Sequence, residues 1–232
     1  MNSGEKPGFT GGYFVPNIEI YSNACPLVKG GGKPLVSTQY LNSTLANVLN
    51  TACKSSSSDS QSSNSNSQPL FQKNCFSIKD AEHAYCYVCY IDVVVLCDDG
   101  SILDLVLYSM AKIFSKEIKI RQMKFDKNLI QLYQTDQFEI LKINPAKLPV
   151  SLTFSIFSPT GQDNQGKSVL FIDPTFDETV LSDSNTFIIV GTIAGGLLVV
   201  EQLGSGLTEE LQFEGIDLAK GHFEDLCKTI VS

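Results

Sequence analysis

Arginine is almost missing from this 232-residue chain: Arg121 is the only one among 17 basic residues, against 25 acidic ones, for a formal net charge of −8. A protein that grips RNA or DNA unaided usually builds a basic, arginine-rich face where phosphates are neutralised, and this composition does not supply one. Long hydrophobic runs are missing too. The most apolar tract, residues 187–200, is too short and too broken by glycine to span a bilayer. Residues 1–7 carry no apolar core of signal-peptide type. No membrane association is expected, and seven cysteines, an odd number, without a secretory signal point to a reducing, intracellular compartment. The glycine run Gly30, Gly31, Gly32 lacks the GxxxxGK(S/T) frame and reads as loop, not as a phosphate cradle. Histidine is scarce: His83 stands at a strand entrance with no matched partner, and His222 falls on the last helix, so both read as surface side chains. Cys86-x-x-Cys89 invites a metal or redox reading. Both residues fall in a proposed strand, however, where positions three apart point to opposite faces, and no second Cys or His pair follows. Buried strand cysteines are the favoured reading.

What is present is a globular composition, 43% hydrophobic and 18% charged, in a chain long enough for a substantial core. The organising stretch is residues 85–114, YCYVCYIDVVVLCDDGSILDLVLYSMAKIF. It opens as a β-branched and aromatic run suited to a strand buried on both faces. Asp98, Asp99 and Gly100 stop it. Ser101 is the expected helix N-cap, with Asp104 at the third helical position to answer the orphan donors. Apolar residues at 102, 103, 106, 107, 110, 113 and 114 keep helical spacing. Leu105 and Ala111 make the helix apolar almost all round, which predicts a central position. Strand, turn and helix form half of a split β-α-β unit.

Around it, residues 13–20 read as a strand, with Pro16 placing it at an edge or a bulge. Residues 37–52 have a helical face of Leu41, Leu45, Val48 and Leu49. Residues 55–68, SSSSDSQSSNSNSQ, cannot bury anything and read as a disordered insertion. Short strands are expected at 75–78, 83–97, 117–124 and 138–143, then clearer ones at 150–157, 168–173 and 187–192. A turn at Ala194, Gly195 and Gly196 leads into 197–202 as a hairpin. A last helix begins near Leu207 and runs to Ile230, weakened by Gly215 and Gly221. Strands and helices are interspersed, so the class is α+β with mixed sheets.

Three blocks in this order carry a family resemblance. They are Cys89 to Leu107 with its DDGSILDL turn, LPVSLTFSIF (Leu148 to Phe157) followed by LFIDPTFDE (Leu170 to Glu178), and LGSGLT (Leu203 to Thr208). Together with GYFVPNIEI (Gly12 to Ile20), they make the chain resemble the RNase PH superfamily, most of all the non-catalytic RNase PH-like ring subunits of the eukaryotic exosome. The resemblance implies a single RNase PH-like α+β domain over 1–232, lacking the strands that family members carry before the GYFVPN-like segment and so leaving a sheet edge unpaired.

The resemblance also says where chemistry would sit. Active family members shorten RNA from its 3′ end with inorganic phosphate as nucleophile, using cations to hold phosphate and paired aspartates near the scissile bond, with magnesium. Asp173 fills the first acidic place, but Thr179 stands at the second, six residues on. Asp177 and Glu178 lie one or two positions early and would need a shifted backbone to substitute. Residues 37–52, where active members bind phosphate, hold no arginine, and lysine does not reproduce a bidentate arginine clamp. Asp173 therefore reads as a turn residue ahead of Pro174 and Thr175. The expected function is a structural subunit of a hetero-hexameric exosome ring, with RNase PH-like neighbours and RNA-binding cap subunits as partners. RNA would then be reached only through the ring, with no cofactor, in nucleus, nucleolus and cytoplasm. The alternative is an active phosphorolytic exoribonuclease using Asp173 with Asp177 or Glu178, inorganic phosphate and magnesium.

Overall fold

The computed structural model describes residues 13–21, 24, 36–53, 70, 77–79, 84–126, 131–141, 143–158, 168–182 and 185–231. The serine-rich stretch 55–68, the triple glycine and His83 lie outside them. In chain order the elements are β1 (Tyr13–Ile20), α1 (Val36–Cys53), β2 (Ser77–Lys79), β3 (Ala84–Cys86), β4 (Val88–Val95) and α2 (Ile102–Phe114). Then follow β5 (Ile118–Asp126), β6 (Gln131–Leu141), β7 (Pro149–Phe157), β8 (Val169–Ile172), α3 (Phe176–Leu181), β9 (Thr186–Thr192), β10 (Leu197–Leu203) and α4 (Glu209–Val231). This is a mixed α+β architecture. No helix among the described residues is long and apolar enough to cross a membrane.

β1 and β4 pair in parallel, with Pro16 opposite Ile91 in unbroken register. Among the described residues β1 pairs on one side only, an edge position where a proline is tolerated. A four-stranded antiparallel sheet in the order β10-β9-β7-β8 forms the second layer. β5 and β6 make a separate antiparallel hairpin, as do β2 and β3. One continuous hydrophobic cluster joins these parts, from Phe14 and Ile18 on β1, through Leu45, Val48 and Leu49 on α1 and Leu107 on α2, to Phe154, Phe187 and Phe223. The Tyr40 hydroxyl donates to the Glu201 carboxylate and ties α1 to β10.

Three expectations need correction. β4 is not buried on both faces: Tyr90 is 71% exposed and Val88 and Val94 are exposed with it, while Cys89, Ile91 and Val93 pack on the core. A two-stranded layer is covered on one side, so its β-branched residues alternate between core and solvent. α2 is correspondingly amphipathic. Leu103, Val106, Leu107, Met110 and Ala111 are buried, whereas Leu105 (64%) and Ile113 face outward along an apolar groove beside β4. Ser101 is the N-cap residue of α2, its carbonyl accepting the Asp104 and Leu105 N–H groups, but its hydroxyl makes no capping hydrogen bond. The residue adopts left-handed φ 40°, ψ 41°, which turns its hydroxyl away from the helix N–H groups.

Gly215 has a positive role that its low helix propensity hides. A Cβ there would come within 2.8 Å of the Phe187 ring, so glycine is what lets α4 lie close on β9. The thiol of Cys89 is half-buried, and burial pushes its pKa up. Cys86 ends β3 while Cys89 lies on β4, so an interruption at Tyr87 separates the CxxC pair.

Candidate functional site

The DDGS turn before α2 and the IDPT turn after β8 clasp each other. The Asp98 carboxylate accepts the Gly100 N–H at 3.1 Å, closing an Asx turn. Gly100 has φ +107°, and a Cβ there would overlap the Pro174 carbonyl oxygen. Only glycine permits that approach. The Phe176 N–H donates to the Asp99 carbonyl at 3.1 Å, and the Ser101 hydroxyl reaches the Pro174 carbonyl at 3.5 Å. Ser101 and Asp173 are the two non-glycine residues at positive φ among those described, 40° and 52°. Both sit in this clasp, a backbone strain that the surrounding contacts must hold.

Asp104 is the chemical centre of the clasp. Its Oδ2 accepts the Thr153 N–H at 2.7 Å, and its Oδ1 accepts the Thr153 hydroxyl at 3.0 Å and the Ser151 hydroxyl. The Thr153 carbonyl accepts the Asp173 N–H at 3.0 Å. Where β8 ends, the Asp104 carboxylate thus takes the ladder position that a next strand residue would hold against β7. Burial pushes the Asp104 carboxyl above its ordinary value; its three donors pull it back, and the Asp173 charge adds to the rise. The expected N-terminal duty of Asp104 on α2 is replaced by this docking to β7.

Beside it opens a cleft of about 400 Å³ lined by Ser101, Asp104, Tyr108, Ser151, Asp173 and His222, with apolar walls from Leu105, Leu152, Ile172 and Leu226. The sequence-proposed acid Asp173 is exposed there, and the structure brings it to Asp104 and His222. His222 remains exposed, but it faces this cleft, which its place in the sequence did not signal. Asp177 and Glu178 go elsewhere. Thr175 caps α3 by accepting the Glu178 N–H at 3.3 Å, and the Glu178 carboxylate accepts the Thr175 N–H and hydroxyl at 2.8 and 3.0 Å. Asp177 is exposed on α3 and does not line the cleft. The Thr179 hydroxyl donates to the Thr175 carbonyl at 3.0 Å. The T-F-D-E spacing is a capping-box signature that could have revealed α3.

Among the described residues no lysine or arginine lines the cleft. Arg121 is stacked on Phe138 in the β5–β6 hairpin. Among the described residues no three His, Cys, Asp or Glu side chains converge to hold a metal ion. Magnesium is usually held by one or two carboxylates together with substrate phosphates. Here Asp104 already spends both oxygens on protein donors, so Asp173 is the one uncommitted carboxylate of the lining, and an ion held there would depend on substrate phosphates for its remaining ligands.

No protein-family model matches the chain, and no curated protein does. Solved structures do. The chain is similar to a chain of the Archaeoglobus fulgidus exosome with RNA bound to the active site, at TM-score 0.63 and 16% identity over 95% of this chain and 71% of that one. It is also similar to a chain of an archaeal exosome core, at TM-score 0.59 and 15% identity over 95% and 69% respectively. At that identity the likeness establishes the fold: the chain has the RNase PH-like architecture of exosome core chains.

Proposed function

We propose that this chain is a non-catalytic, RNase PH-like subunit of an exosome-type ring. In this role it supports 3′-to-5′ RNA processing and degradation by holding neighbours in place, in nucleus and cytoplasm. The observation that carries the reading is the state of the cleft at Asp173. Phosphorolysis must bring inorganic phosphate against an RNA phosphodiester, and that needs cations and paired acids. Among the described residues the lining supplies one exposed aspartate, one committed aspartate and a histidine, with no lysine or arginine. Glu178 is fastened in the α3 cap and Thr179 stands at the second acidic place.

Ring assembly itself rests on the shared fold and on the order of the sequence blocks. RNase PH-like neighbours, RNA-binding cap subunits and RNA reached through the ring are the proposed partners. The test is the native mass of the complex recovered from cells with this chain as bait. A hetero-hexameric ring, with or without cap subunits, is expected; recovery of the chain alone or as a simple dimer contradicts the reading. One observation favours the second reading, an active phosphorolytic enzyme: Asp173 is exposed in a cleft beside His222. In that case a basic neighbour would have to supply the missing cations across an interface.

A further inference from the structure

A scaffold role leaves the cleft beside Asp173 without a use, yet its lining has a definite chemical character. α2 and α4 flank it: Tyr108 comes from α2, His222 and Leu226 come from α4, and Leu152 and Ile172 line it from β7 and β8. Farther along the same two helices, the Lys112 ammonium donates to the Thr229 carbonyl at 2.7 Å and ties α2 to the end of α4. A cation one helical turn from Tyr108 is thereby already engaged. Among the described residues the Asp173 carboxylate accepts no hydrogen bond and joins no ion pair, and the Tyr108 hydroxyl makes no hydrogen bond either.

A phosphate entering alone would meet this carboxylate and, among the described residues, no lysine or arginine. Like charges repel, most of all beside apolar walls. What the lining offers is one free carboxylate, an aromatic ring and aliphatic side chains, and that set suits a guanidinium. The carboxylate takes the N–H fork, the ring takes the flat face, and the methylene stem lies along the leucines and the isoleucine. An ammonium is more strongly hydrated and has no plane to stack. A polyamine would bring several ammonium groups to a cleft with one carboxylate to spare, since both oxygens of Asp104 are held by protein donors. A second copy of this chain is a poor source of the guanidinium. Arg121 is its single arginine, and the guanidinium already lies over the Phe138 ring, 5.7 Å from the centroid. A different, basic protein is drawn instead by the net charge of −8.

We propose that the Asp173 cleft receives one arginine side chain from a different, basic partner protein, which enters between α2 and α4 and pairs with the Asp173 carboxylate against the Tyr108 ring. The inference rests on the reading that this cleft does no phosphorolysis, and it gives the cleft a recognition role in its place. A single buried arginine is a common anchor of protein interfaces. It also selects between partners, because a chain that covered the cleft without an arginine would bury the Asp173 carboxylate unpaired.

Nuclear magnetic resonance of the full chain, read at the His222 ring, tests it. The chain has two histidines, and His222→Gln assigns the signal. The probe is the peptide acetyl-Gly-Arg-Gly-amide; its control carries citrulline in place of arginine, keeping the shape and losing the charge. The arginine peptide is expected to shift the His222 signal saturably. The citrulline peptide should bind at least about tenfold more weakly, the loss of a charge-assisted hydrogen bond. Asp173→Asn should weaken the arginine peptide by a similar factor. Asparagine tolerates the left-handed φ 52° of this position, so the turn is kept, and circular dichroism confirms the fold. The comparison of the two peptides on wild type needs no variant at all. Equal binding of the citrulline peptide, an unchanged affinity in Asp173→Asn, or a His222 signal that responds to inorganic phosphate or spermidine but not to the arginine peptide overturns the proposal. Phosphate-dependent RNA cleavage that Asp173→Ala abolishes would instead refute the reading beneath it, so the two failures are told apart.

Discussion

Replacing Asp104 with alanine removes the acceptor that joins α2 to β7. Three donors lose their partner: the Thr153 N–H, its hydroxyl and the Ser151 hydroxyl. The hydroxyls can rotate toward other acceptors, but the backbone N–H is fixed and Thr153 is buried. A buried polar group left unsatisfied costs about 1–3 kcal/mol. With one donor stranded and two partly so, the expected loss is about 3–5 kcal/mol, a large share of the roughly 5–15 kcal/mol that holds a typical domain together. Denaturant melts should show a lower midpoint at unchanged slope. Asp104→Asn keeps one acceptor and should lose less. Its pH dependence is a second check. Since burial raises the Asp104 pKa in the fold, the unfolded chain ionises first as pH rises, and wild type loses stability relative to the asparagine variant between the ordinary carboxylate pKa and the raised one. The deficit of Asp104→Asn is therefore largest at acid pH and shrinks toward neutrality. A loss below about 1 kcal/mol for Asp104→Ala, within the reach of ordinary surface changes, would refute the idea that this carboxylate completes the β7 edge.

Other outcomes follow from the same geometry. Leu107→Asp puts an unpaired charge where the side chain is fully buried, and should abolish soluble, cooperative folding; a two-state melt would contradict it. Gly100→Ala meets the Pro174 carbonyl at φ +107° and should lower stability by at least about 1–3 kcal/mol, read by thermal melting, with no effect if the turns do not clasp. Burial pushes the Cys53 thiol up to about 12, whereas Cys97 is exposed. Alkylation at mildly alkaline pH followed by mass spectrometry should mark Cys97 first and Cys53 only on unfolding; equal rates would contradict the burial.

Much of this fold was legible in the chain. The alternation V-S-L-T-F-S-I-F at 150–157 marked β7 as a strand, and its Ser151, Thr153 and Ser155 now show why it alternates: two of the three hydroxyls serve Asp104. The helical spacing from Ile102 to Phe114 located α2. What periodicity could not reveal was how many layers cover an element, so β4 and α2 read as wholly buried when each has a bare side. Local capping rules placed Ser101 and Asp104 together at the N-terminus of α2, but Ser101 lies in the left-handed region with its hydroxyl toward the Pro174 carbonyl, and the Asp104 carboxylate goes to a partner 49 residues away. That long-range competition leaves no mark in a local pattern. Asp173 reads from its motif as a turn residue, and as an acid only in the alternative reading, while its neighbours in the cleft, Asp104 and His222, came together only through the packing of α2 and α4.

The central claim is that the Asp173 cleft does no phosphorolysis, and release of nucleoside diphosphates from single-stranded RNA, with and without inorganic phosphate, tests it most directly. Removing one key electrostatic group from such a site costs a factor on the order of a hundred to a thousand; among the described residues the lining shows neither a second uncommitted acid nor a lysine or arginine, and on the proposed reading such losses compound without adding. Wild type, Asp173→Ala and Thr179→Asp should all give the same background rate, the last because an added acid does not replace missing cations. Phosphate-dependent release by wild type that disappears in Asp173→Ala would contradict the scaffold reading and make Asp173 catalytic.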